Sequence, residues 1–112
     1  MVDYYSIKLT YDTRRSRDSA TFNNTYQTLG IALTRPIRLF KIVNNSDQDI
    51  DVSTDGVNAH DFCPKGGFLL YDLTANRVEH LAQSGAFFAL GTQFYVKGAA
   101  AGTGSVYLVC IA

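Results

Sequence analysis

Apolar residues recur at every second position through much of this chain, and no stretch of about 12 residues carries a 3.6-residue stripe. Tyr5, Ile7, Leu9 and Tyr11 alternate with Ser6, Lys8 and Thr10, which predicts a half-buried strand or an extended arm. Residues 12–19 are polar without a period and read as an exposed loop or arm. Phe22, Tyr26 and Leu29 anchor an irregular stretch that becomes a strand near Tyr26. Ile31 and Leu33 follow, and Pro36, which lacks a backbone donor, marks an edge or a strand start. Residues 37–44 are apolar on both faces and predict a central strand. In residues 49–53 Ile50 and Val52 point inward and Asp49 and Asp51 outward. A turn at residues 45–48 makes the two a hairpin. Further turns fall at Asp55-Gly56 and Pro64-Lys65-Gly66-Gly67. Residues 68–73 read as a buried strand, and residues 74–84 hold at most one helical turn. Short strands are expected at 86–90 and 93–97. A small-residue hairpin turn at 98–104 leads into a closing strand at 105–111.

Seven or eight strands at turn spacings of roughly 8–12 residues predict an all-β fold, an antiparallel sandwich or barrel. The reading adopted is an antiparallel β-sandwich, jelly-roll-like, with residues 1–25 as an extended N-terminal arm and 26–112 as the domain. The length of 112 residues suits one domain. Composition agrees with strands: seven Tyr, seven Phe and a single Glu, every other acid being Asp.

Ten basic and ten acidic side chains cancel. A neutral small domain is not expected to bind nucleic acid by charge. The balance hides a split. Residues 1–41 carry seven basic and three acidic side chains, and residues 42–72 one basic and six acidic. The basic front complements an acidic surface of a partner or of a second copy, or is a chance clustering of surface charge. No apolar run approaches the ~18 residues of a membrane span, and the N-terminus does not read as a signal peptide. The chain is therefore expected to be made in a cytoplasm. Cys63 and Cys110 have no metal or redox spacing and read as two free, buried thiols.

Candidate chemistry is sparse. The Asp47, Asp49, Asp51, Asp55 series suggests a calcium loop, but the sixth position is Val52, not Gly, and the twelfth is Asn58, not a carboxylate. The series reads as the solvent face of a strand. His60, Asp61 and Cys63, with His80, lack zinc spacing and form no nucleophile–base pair that sequence can identify. The glycines of 98–104 precede a strand and lack the Lys-Ser/Thr of a phosphate loop; small residues there would let another chain approach closely. No enzyme activity, cofactor or metal is expected.

Two clusters point to a partner instead. Arg14, Arg15 and Arg17 form either a solvated loop, an arm for an acidic protein surface, or a nucleic-acid contact, the last being poorly signed without interleaved aromatics. Tyr4, Tyr5 and Tyr11 are either the first strand of the sheet or interface anchors.

Residues 35–112 carry a pattern: Arg35-Pro-Ile-Arg-Leu-Phe-Lys-Ile-Val-Asn-Asn, then Val52-Ser-Thr-Asp-Gly-Val-Asn-Ala-His-Asp-Phe, Gly67-Phe-Leu-Leu-Tyr-Asp-Leu, Gly91-Thr-Gln-Phe-Tyr-Val-Lys-Gly and Gly104-Ser-Val-Tyr-Leu. In this order the pieces resemble small β-sandwich virion proteins of tailed bacteriophages, over about two-thirds of the chain. The resemblance implies a structural virion protein of the capsid cement or decoration type. Such a protein sits on the outside of the head and bridges major capsid subunits, as a dimer or trimer, with no nucleic-acid or membrane partner. The arm, through Tyr4, Tyr5, Tyr11, Arg14, Arg15 and Arg17, would be the clamp, so that removing residues 1–18 should leave a folded domain that no longer binds. The alternatives are a tail or head–tail connector component, or a small ligand- or carbohydrate-binding sandwich.

Overall fold

The computed structural model describes residues 10–72 and 88–111. Eight strands follow one another among the described residues: β1 (Arg15–Asp18), β2 (Gln27–Thr28), β3 (Leu39–Ser46), β4 (Ile50–Ser53), β5 (Asp61–Cys63), β6 (Phe68–Asp72), β7 (Tyr95–Lys97) and β8 (Gly104–Ile111). The only helical element among the described residues is a 3-10 turn, Ser19–Thr21, whose entry is capped by the Asp18 carboxylate accepting from the Ala20 N–H at 2.9 Å. The strands form two four-stranded antiparallel sheets, ordered β1-β8-β3-β6 and β2-β7-β4-β5. The fold is an all-β sandwich.

The inner faces follow from period-two alternation. Phe40, Ile42 and Asn44 of β3 face inward with Val106, Leu108 and Cys110 of β8, in the register Phe40↔Cys110, Ile42↔Leu108, Asn44↔Val106. Ile50, Val52, Cys63 and Val96 supply the other layer. Phe40 lies at the centre of an aromatic group, its centroid 4.9 Å from Tyr71, 5.3 Å from Phe88 and 5.2 Å from Phe94. Such ring contacts contribute about 0.5–1.5 kcal/mol each beyond area burial.

Only one sequence-adjacent pair of described strands, β4 and β5, is hydrogen-bonded together; every other connection passes from one sheet to the other. This corrects two expected hairpins. Residues 45–48 do not fold β4 back onto β3 but carry it across the sandwich. Asn44 holds that corner: its buried amide donates to the carbonyls of Gln48 at 2.9 Å and Cys63 at 3.0 Å. Residues 98–103 likewise cross from β7 to β8. The glycines at 98 and 102 admit close approach by the protein's own chain. A Cβ on Gly98 would lie 2.2 Å from the Phe22 ring, and one on Gly102 would lie 2.2 Å from Asp47 Oδ1.

The boundary at residue 25 also moves. Residues 15–18 are a strand paired along β8, from Arg15↔Leu108 to Asp18↔Ser105, and Phe22 lies in the core. Removing residues 1–18 would delete β1, an edge strand of the described sheet. Residues 31–33 are irregular chain, tied by the Leu33 N–H donating to the Thr92 C=O at 2.8 Å. The possible helical turn at 74–84 lies outside the described residues. Cys63 and Cys110 are free and buried.

Candidate protein-docking site

β3 and β8 are apolar on both faces, and in a two-layer sandwich only one face of each sheet can be inside. The outer face of the β1-β8-β3-β6 sheet therefore carries what the core does not take. The register places these residues in cross-strand rows: Phe68–Val43–Tyr107, then Leu70–Lys41–Val109, then Asp72–Leu39–Ile111. Tyr11 extends the last row through an isolated bridge to Ile111. Phe68, Leu70 and Tyr11 are 66%, 61% and 72% exposed, which sets them apart from the isolated apolar residues found on any surface. Leu39, Val43, Tyr107, Val109 and Ile111 are half-buried between them. A shallow cleft of about 150 Å³ runs over Tyr11, Leu39, Lys41, Leu70, Val109 and Ile111.

The expectation of a buried strand at 68–73 is corrected here. β6 is an edge strand of the described sheet, with only Leu69 and Tyr71 turned toward the core. Phe68 and Leu70 face outward, and alternation in a sequence cannot tell a covered face from an open one. The usable signal was the double apolar face of residues 37–44 and 105–111.

Two cations sit within this face. Arg14 is exposed, with its guanidinium carbon 5.3 Å from the centroid of the Tyr107 ring. Lys41 is exposed between Leu70 and Val109. Neither has an ion pair among the described residues. The outer face of the second sheet contrasts with it. There Lys97 is 3.9 Å from Asp51 and lies 4.9 Å from the Tyr26 ring centroid.

The six residues expected to meet a partner have separate fates. Tyr11 and Arg14 stand exposed on the apolar face. Tyr4 and Tyr5 lie outside the described residues. Arg15 is only 2% exposed and offers no surface to a partner. It pairs with Asp12 at 3.1 Å and donates to the carbonyls of Ile31 at 2.7 Å and Ala32 at 2.9 Å, and to that of Thr13. Arg17 donates to the Thr28 carbonyl at 2.8 Å and hydroxyl at 3.0 Å, tying β1 to β2. Both arginines are therefore structural staples, because the chain folded back over residues 28–34 supplies the acceptors their guanidinium forks need. Burial by itself would raise the Asp12 carboxyl. The Thr34 hydroxyl, the Thr13 N–H and the Arg15 charge outweigh it and hold the pKa at about 2.

The remaining candidate residues do not converge. Cys63 faces the core, and burial raises its thiol pKa. His60 is exposed; its Nδ1 accepts from the Thr54 N–H at 3.1 Å, and its Nε2 lies 3.8 Å from Asp55. Asp55 caps its own loop, accepting from the N–H groups of Asn58 and Val57, the Asn58 amide and the Ser53 hydroxyl, which hold its pKa well below the usual carboxylate range. No group of three metal-ligating side chains is found among the described residues, and no helix among them is long and apolar enough to cross a membrane. Comparisons with protein-family models, with curated proteins and with solved structures return no match to this chain.

Proposed function

We propose that this chain is a structural virion protein, a capsid cement or decoration protein that binds the outside of a tailed-phage head and bridges major capsid subunits. The observation that carries the docking part of this reading is the apolar outer face of the β1-β8-β3-β6 sheet, which has the composition of an interface core rather than of a solvated sheet. The strand order supports a jelly-roll-like sandwich, an architecture used in viral capsids among other settings. The resemblance of residues 35–112 supplies the virion context. Bridging would act by repetition: each copy contributes a modest contact, and many copies resist outward pressure on the shell together.

The test is cosedimentation with purified heads that lack this protein, across a range of protein concentrations. Saturable binding that raises the temperature at which heads burst is the expected result. A closed ring in native mass spectrometry, with no binding to heads, would instead assign the chain to the tail or connector. A second reading, a small-ligand-binding sandwich, is favoured by one feature: a cavity of about 110 Å³ lined by Phe40, Tyr71, Phe88 and Phe94 together with Thr54 and His60. Saturation-transfer NMR with small aromatic and sugar ligands tests it.

A further inference from the structure

Among the described residues the apolar sheet face holds two cations, Lys41 in its central row and Arg14 beside the edge strand β1, against one carboxylate, Asp72, at the end of the last row. Lys41 lies in the central row between Leu70 and Val109, and Arg14 lies over Tyr107 on the other flank. A partner that covers the face takes both out of water. Desolvating a cation costs several kcal/mol unless the partner supplies a counter-charge, and apolar complementarity alone would leave two buried, unpaired charges. We infer that the occupant of this face is a protein surface that presents carboxylates set among apolar side chains, with Lys41 and Arg14 as the two points that take them up. The inference rests on the docking reading above.

Two other occupants fit less well. A second copy packed face to face about a two-fold axis brings four cations against only the two Asp72 carboxylates into one patch, a net repulsion. An anionic membrane surface calls for a cluster of about four to eight basic residues, and among the described residues this face has two. The same geometry sets the character of the contact. Rows of apolar side chains give it area, while the two cations give register and a salt-sensitive association rate.

The test measures binding of the intact protein to an immobilised random copolymer of glutamate and tyrosine, with a lysine–tyrosine copolymer as control. The wild-type protein should bind the acidic copolymer and not the basic one, and should bind less tightly as salt rises. The double variant R14E/K41E should bind about tenfold weaker or more per reversed charge. R35E/K65E changes net charge equally at exposed cations outside the three rows and should stay within about twofold. Lys41→Gln, the milder substitution, should fall between, and thermal melts confirm that each variant is folded. Equal weakening by both double variants, or equal binding to the two copolymers, overturns the inference. So does a wild-type dimer in sedimentation velocity that L70K abolishes. So does flotation with phosphatidylserine vesicles that R14E/K41E abolishes. Heads that bind wild type and R14E/K41E alike would leave the virion reading standing and remove this inference. Copolymer binding through the face without head binding would do the reverse.

Discussion

Replacing Arg15 with Ala separates a folded staple from a docking arm. The side chain is 2% exposed and joins three segments: Asp12 and Thr13, β1, and the chain at residues 31–32. Arg15→Ala leaves the Asp12 carboxylate buried without its cation and leaves the Ile31 and Ala32 carbonyls without their donors. Removing one partner of a buried ion pair costs about 3–5 kcal/mol. Asp12 keeps the Thr34 hydroxyl at 2.7 Å and the Thr13 N–H at 2.9 Å, so the lower half of that range is expected. A chain of this length unfolds with an entropy of about 0.24 kcal/mol per kelvin, so the midpoint should fall by about 13–17 °C. The assay is thermal and urea unfolding followed by circular dichroism, with Asp12→Asn and the double variant completing a cycle. The coupling between Arg15 and Asp12 should exceed about 1 kcal/mol. A variant within about 1 kcal/mol of wild type would refute the staple.

Three further outcomes follow from the same packing. Gly30 and Gly66 have nearly equal positive φ angles, +69° and +72°, but a Cβ at Gly30 would sit 2.6 Å from Arg15 Cβ, whereas none lies within 4 Å at Gly66. Gly66→Ala should cost about 1–2 kcal/mol and Gly30→Ala clearly more in urea titrations; equal costs would sink the packing argument. Burial pushes the Cys110 thiol up to about 11 and raises Cys63 as well. Ellman's reagent should therefore find no reactive thiol in the native protein at pH 8 and two after denaturation, and fast native labelling of either would contradict the core described above. Asp12 is held at about 2 against an ordinary 3.8, so its charged form is favoured by the fold. That contribution is fully present above pH 4 and is lost as pH falls toward 2. Asp12→Asn should remove this part of the acid dependence of stability and leave the neutral range flat.

The inward residues were legible because burial follows a two-residue period that any strand shows. Ile50 and Val52 point in, as their alternation with Asp49 and Asp51 requires, and they are 1% and 4% exposed. The docking face was half legible. Tyr11 and Arg14 were singled out, but the side chains around them come from β3, β6 and β8, which are distant in sequence and meet only through strand pairing. Arg15 and Arg17 look like their neighbour Arg14 in the sequence. What divides them is the position of the carbonyls of Thr28, Ile31 and Ala32, acceptors that exist only once the chain has turned back.

By itself the sequence determined that this chain is an all-β domain, where most of its strands fall and which side of each can be buried. It could not determine which strands pair, because period-two alternation names a face without naming a sheet. The tertiary structure decided that each connection but one between described strands runs from one sheet to the other, and that residues 15–22 belong to the domain. It also decided which apolar residues remain outside. Strands with two apolar faces meet a core only on one side of a two-layer fold, and the surplus on the other side becomes the surface available to a partner.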